Sequence, residues 1–147
     1  MNKLNNYKIR QLKLDDLNSE SFFKTLSSLR PVENLSLDLA QKIFFDCQEK
    51  GVKTFVLETD GLIVGTVRVL YEAKFYHQGK LAAHIEDVST HKDYMGKGVA
   101  GFLIREIIED CKKNNCYKII LDCSDDLLGF YKKFGFEKKE NCMRIDL

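Results

Sequence analysis

Residues 84–104 read HIEDVSTHKDYMGKGVAGFLI, and the folding of this stretch decides the architecture of the chain. Its first half belongs to a run, Leu81 to Thr90, that reads as a strand. Beyond it Val99, Phe102, Leu103, Ile107, Ile108 and Cys111 recur at helical spacing, with Arg105, Glu106, Glu109 and Lys112 on the other side. That pattern predicts a helix from about Gly98 to Lys113. Cys116 to Cys123 (CYKIILDC) then reads as a buried strand. A helix crossing between two strands of one sheet makes those strands parallel and the connection right-handed. Gly96, Gly98 and Gly101 fall where the strand gives way to the helix. Unpaired amides and the positive end of the helix dipole converge there, and residues without a Cβ let an anion approach the backbone. The loop fits neither GxxxxGK[ST] nor GxGxxG, so a different nucleotide is implied; the other reading is a plain turn into a helix.

Working outward, Tyr7 to Leu14 alternates apolar and polar residues as a half-buried strand does. Asp15 or Asp16 then caps a helix carrying Leu17, Phe22, Phe23, Leu26 and Leu29, which Pro31 ends. A second helix runs from an N-cap at Ser36 to a stop at Gly51, with Leu39, Ile43 and Phe44 on one face. Val52 to Glu58 and Leu62 to Tyr71 are rich in β-branched and aromatic residues, and Asp60-Gly61 between them predicts a hairpin. A short helix over Asp125 to Phe134 and a final strand, Phe136 to Leu147, complete the order. An antiparallel meander leading into a β-α-β crossover, with about four helices on a mixed sheet, places the chain in the α/β (α+β) class.

At 147 residues the sequence fits a single domain over residues 1–147. Its 23 basic and 22 acidic residues leave a net charge of +1, without the basic excess that nucleic acid or an anionic membrane would ask for. Five cysteines with no CxxC pair suggest reduced thiols in the cytoplasm, and three scattered histidines argue against a metal site. The amino terminus, MNKLNNYKIR, is polar, and no apolar run approaches the ~20 residues that cross a bilayer.

YMGKGVAG following HIEDVST resembles the coenzyme A pyrophosphate loop of the GNAT superfamily of N-acetyltransferases, whose pattern is [QR]xxGx[GA]. Gly98 and Ala100 match it, while Met95 stands where glutamine or arginine is usual. HIEDV at 84–88, CYKIILDC at 116–123, GFYKKFGF at 129–136, FFKTL near Phe22 and KFYH at 74–77 are similar to the branch of that superfamily that acetylates glucosamine 6-phosphate. The resemblance implies transfer of an acetyl group from acetyl-CoA to the sugar's 2-amino group by direct attack on the thioester, with no metal, in a homodimer whose last strand reaches toward the partner's site. Acetylation of another amine, such as a polyamine or protein terminus, and a non-catalytic acyl-CoA-binding module are the alternatives.

Under this resemblance Gly96, Lys97, Gly98, Val99 and Ala100 offer amides to the pyrophosphate, and Val88, Ser89 and Thr90 pair their backbone with the pantetheine arm. Val88 N–H is then the oxyanion donor, and Tyr131, otherwise a core tyrosine, protonates the departing thiolate. Glu86 and Asp87 are assigned to the sugar. As adjacent residues at a strand end they should face opposite ways unless a bulge re-aims one, and a solvated strand end is the plainer reading. Asp122 interrupts an apolar run, and burying a carboxylate is costly unless it is paired or functional. It is expected to hold the amine and accept its proton, a structural hydrogen bond being the other role. Lys74, His77 and Ser27 match sugar-phosphate contacts, each otherwise an ordinary exposed residue. Two further positions depart from the family: Asp146 stands for an arginine, with Arg144 on the same strand face to replace it, and Leu127 stands where asparagine is common.

Overall fold

The computed structural model describes residues 6–147, so the polar stretch Met1 to Asn5 lies outside it. A five-stranded sheet runs in the order β1-β2-β3-β4-β5. β1 (Lys8–Gln11), β2 (Val52–Thr59), β3 (Leu62–Ala73) and β4 (Leu81–Thr90) are antiparallel neighbours, and β5 (Cys116–Ile120) lies parallel to β4. α1 (Glu20–Ser27) and α2 (Leu37–Glu49) precede β2, α3 (Val99–Lys113) makes the crossover, and α4 (Leu128–Lys132) follows β5. The β2–β3 turn is the expected tight one, with Asp60 and Gly61 both at positive φ (50° and 75°).

Alternation along β2 divides the core. Phe55 and Leu57 join Val67, Val69, Leu103, Ile104 and Ile107 beneath α3, while Val56 faces Leu17, Phe22 and Ala40 under α1 and α2. α3 approaches the sheet at Gly65, where an added Cβ would lie 2.6 Å from Val99 Cγ1 and 2.9 Å from Leu103 Cδ1. The far end of α3 is tied back by Asp110, which accepts a short hydrogen bond from the Tyr71 hydroxyl.

Several sequence expectations need correction. The first strand stops at Gln11, and Leu14–Asn18 is a separate 3-10 turn before α1. Asp16 closes that turn by accepting from Lys13 N at 2.7 Å and from the Arg10 guanidinium at 2.7 and 2.8 Å, and Arg10 also reaches Glu58. Leu29 lies beyond α1 and is exposed, as are Leu39 and Ile43 on α2. β5 ends at Ile120, and as an edge strand it is half-buried. Phe136 to Leu147 forms no strand: Met143, Ile145 and Leu147 alternate as strand residues do, yet all stand exposed, and none of the described strands pairs with them.

Candidate active site

The site begins where two parallel strands part. β4 and β5 are paired only from Leu81↔Cys116 to His84↔Ile120; β4 then continues to Thr90, while the chain after Ile120 leaves the sheet. On the other side of β4 the register slips, with Thr66 opposite Ser89 but Arg68 opposite Glu86. Two residues of β4, Asp87 at φ 52° and Val88, span the place that Val67 alone fills on β3, so a β-bulge lies at the opening. Asp87 and Val88 have no Cα partner in β3 or β5. With the bulge in place, Glu86 and Asp87 are both exposed instead of alternating.

Across the opening lies the glycine loop. Gly96 and Gly98 take φ 74° and 82°, a region that a side chain with a Cβ rarely enters, and Gly98 is the N-cap of α3. No side chain caps that helix and no acidic residue lies in its first turn, so its leading amides and the positive dipole end face outward uncompensated. Val99 and Ala100 can contribute only through their backbone amides, Val99 because its side chain is buried in the core and Ala100 because it is a methyl. Lys97 is exposed, with Nζ 4.7 Å from the Tyr94 ring centre. This arrangement fits a pyrophosphate: donors and positive potential are present, and no carboxylate competes.

Tyr131, on α4, is buried and packs edge-on against Phe130 and Phe136. Burial first, and the neighbouring Cys123 second, push its hydroxyl above the ordinary tyrosine value, so the group is a protonated donor at neutral pH. Asp122 corrects an expectation. It is exposed, two residues past the end of β5, so the cost of desolvation does not argue for its role. Its neighbour is Cys142, whose thiol is raised first by hydrogen bonding to the Asp122 carboxylate and then by the charges of Asp122 and Glu86, with Arg144 opposing. Asp122, Glu86 and the C-terminal segment therefore share one neighbourhood. Arg144 there is bound to Asp146, Nε to Oδ1 at 2.7 Å.

Ser89 has its backbone on the opening, but its side chain turns inward and donates a short hydrogen bond to the Thr25 carbonyl; Thr25 Oγ1 in turn donates to Ile63 O at 2.8 Å. This latch brings the end of α1, and the exposed Ser27, to the same end of β4 as Asp87. Lys74 and His77 are not brought there. They adjoin the start of β4, which at ~3.3 Å per residue is about 20 Å from Asp87. Lys74 pairs with Glu72 at 2.7 Å, and His77 stacks on Tyr117 with ring centres 3.9 Å apart.

Sequence reading missed Thr25, Gly65 and Arg68. A threonine one turn after Phe22 on an apolar helix face, and a glycine or an arginine inside a β-branched run, are the signals that could have marked them. Among the described residues, no group of three or more His, Cys, Asp or Glu side chains is placed to hold a metal ion, and no helix is long and apolar enough to cross a membrane.

A parallel pair splayed by a bulge, with a glycine cradle at the start of the crossover helix, suits an anion-binding transferase, and residues 13–136 match the acetyltransferase (GNAT) family, to which the chain belongs. It is 40% identical over 95 residues to the glucosamine 6-phosphate N-acetyltransferase of Trypanosoma brucei brucei, covering 65% of each chain. Against the glucosamine 6-phosphate N-acetyltransferase of Candida albicans it is 31% identical over 134 residues, 89% of each. A crystal structure of a Trypanosoma brucei acetyltransferase superposes with a TM-score of 0.89 at 34% identity, over 96% of this chain and 99% of that one.

Proposed function

We propose that this chain transfers the acetyl group of acetyl-CoA to the 2-amino group of glucosamine 6-phosphate, acting as a single catalytic domain in a cytoplasmic homodimer. The observation that supports the reading is that one fold carries uncapped helix amides, a bulged strand with two exposed carboxylates, and a buried tyrosine in the core cluster that Val99 and Val88 join. The named relatives support the choice of acceptor.

The amides of Gly96 to Ala100 hold the pyrophosphate, and the backbone of Val88, Ser89 and Thr90 lies along the pantetheine arm. Acetyl-CoA supplies an activated thioester. The Val88 N–H, on the bulge where β4 and β5 have parted, donates to the carbonyl oxygen as negative charge develops on it. Asp122 orients the attacking amine and takes its proton, and Tyr131 gives its own proton to the departing sulfur. Ser27, Glu86 and Asp87 accept or donate at the sugar hydroxyls, and Arg144 binds the phosphate once released from Asp146. Lys74 and His77 can reach a sugar phosphate only from a second copy. The exposed alternation of Met143, Ile145 and Leu147 supports a dimer in which the last segment finds its strand partner on the other chain.

Release of free thiol from acetyl-CoA, followed with glucosamine 6-phosphate, glucosamine, spermidine and a peptide in turn, tests the reading. Turnover with glucosamine 6-phosphate at the highest kcat/KM is expected. Faster turnover with spermidine or the peptide would overturn the acceptor, and saturable binding of acetyl-CoA without turnover on any of them would make the chain a binding module.

A further inference from the structure

Between α1, α2 and the sheet lies a mostly apolar cleft of about 200 Å³, with Gln48, Lys53 and Thr54 among its polar lining and Arg68, Cys47 and Asp87 meeting on its wall. Arg68 projects from β3 directly opposite Glu86, one residue before the bulge. Its Nη1 lies 3.4 Å from Asp87 Oδ2, its Nη2 donates to Cys47 Sγ at 2.9 Å, and its side chain is 34% exposed. Cys47 belongs to α2, so a single guanidinium links the second helix to the bulged strand.

We propose that Arg68 is a positioning residue of the acceptor site, holding the Asp87 carboxylate in the orientation that receives the acceptor and balancing the charge of the Glu86–Asp87 pair. This rests on the reading above that these carboxylates bind the acceptor. The bulge supplies the need. Asp87 has a left-handed backbone and no partner in either neighbouring strand, so its side chain is not aimed by a ladder. A guanidinium is a planar, permanently charged group, and with one nitrogen held by Cys47 the other is set to direct a carboxylate. Charge balance gives a second need: two adjacent carboxylates repel an anionic acceptor, and a cation on the same strand face removes about half of that charge. Both terminal nitrogens of Arg68 are engaged by the chain, one by Asp87 and one by Cys47, which suits a group acting through Asp87.

Steady-state kinetics on the full chain, with glucosamine 6-phosphate and acetyl-CoA varied separately, test the proposal. Arg68→Ala should raise KM for the sugar phosphate about tenfold, the worth of one charge-assisted hydrogen bond, and leave KM for acetyl-CoA and the melting temperature nearly unchanged. Arg68→Lys, which keeps the charge without the fork, should recover part of the loss. Arg68→Ala combined with Asp87→Asn should lose less than the product of the two single losses, since the arginine acts largely through that carboxylate. A raised acceptor KM in Asp87→Asn beside an unchanged one in Arg68→Ala would overturn the role of Arg68 alone. Fully multiplicative losses in the double variant would do the same. An unchanged acceptor KM in Asp87→Asn would instead remove that carboxylate from the acceptor site, and the reading beneath the proposal with it.

Discussion

Gly65 sets how closely the crossover helix approaches the sheet, and replacing it with alanine perturbs the cradle without touching a cradle residue. The added Cβ would meet Val99 Cγ1 at 2.6 Å, Leu103 Cδ1 at 2.9 Å and Leu57 Cβ at 3.4 Å. Neither of the first two has room to turn aside, since Val99 is 1% and Leu103 0% exposed and valine in a helix has one strongly preferred rotamer. Overpacking of this kind costs about 1–3 kcal/mol. For a chain of this size each kcal/mol lowers Tm by roughly 2–4 °C, so thermal unfolding should shift down by about 2–12 °C. Relief comes most easily by moving the start of α3 away from β3, and Val99 directly follows the Gly98 N-cap. KM for acetyl-CoA should therefore rise severalfold, toward the ~10²-fold that a 1 Å misplacement can cost, while KM for the acceptor at saturating acetyl-CoA stays within about twofold. Adding Val99→Ala removes the nearest clash, and the pair should be coupled by about 1 kcal/mol in the compensating direction. A Gly65→Ala chain with unchanged Tm and unchanged KM would refute the view of Gly65 as the spacer that seats the cradle.

Gly98→Val forces a β-branched residue to φ 82° at the helix N-cap and should raise KM for acetyl-CoA strongly in protein that still folds; normal saturation by acetyl-CoA would remove the loop from the pyrophosphate site. Tyr131→Phe and Asp122→Asn should lower kcat by about 10²–10⁴-fold with little change in acetyl-CoA binding, measured by thiol release at saturation. Because the tyrosine value is raised, kcat should show no Tyr131-dependent loss below pH 10, and a basic limb below that pH abolished by Tyr131→Phe would contradict the assignment. Burial pushes the Asp16 carboxyl up, but hydrogen bonding from Arg10 and from the Lys13 amide outweighs it, leaving the group below its ordinary value. Its stabilising contribution is thus present above about pH 4 and lost as the pH falls through the folded value. Asp16→Asn should be less stable at pH 7 and show a flatter acid limb in denaturant unfolding.

The crossover was legible because its parts are local. Helical spacing from Val99 to Cys111, glycines at the helix entrance and the Asp60-Gly61 turn each state their conformation within a few residues, and the structure has them where the pattern puts them. The bulge was legible only as a condition: Glu86 and Asp87 would have to face opposite ways without one, and no residue type announced that the register slips there. Gly65 and Arg68 were hidden for a related reason, since each matters through a partner distant in sequence, Val99 for one and Cys47 and Asp87 for the other.

Asp122 misled in a more instructive way. Its neighbours Ile119, Ile120 and Leu121 are apolar enough for a central strand, yet β5 is the edge of the sheet, Ile120 is 40% exposed and Asp122 lies in the open beyond it. Apolar residues on an open edge and apolar residues alternating along Met143, Ile145 and Leu147 are two expressions of one pattern, each a strand surface without its neighbour. Hydrophobic periodicity records that a segment can complete a sheet, because it answers to the face that is buried. It does not record which chain supplies the adjoining strand, since that depends on backbone groups every residue carries alike. A pattern of this kind can therefore mark strand-like residues and still leave no strand, as it does over residues 136–147, and the carboxylate just past the open end of β5 is exposed with it.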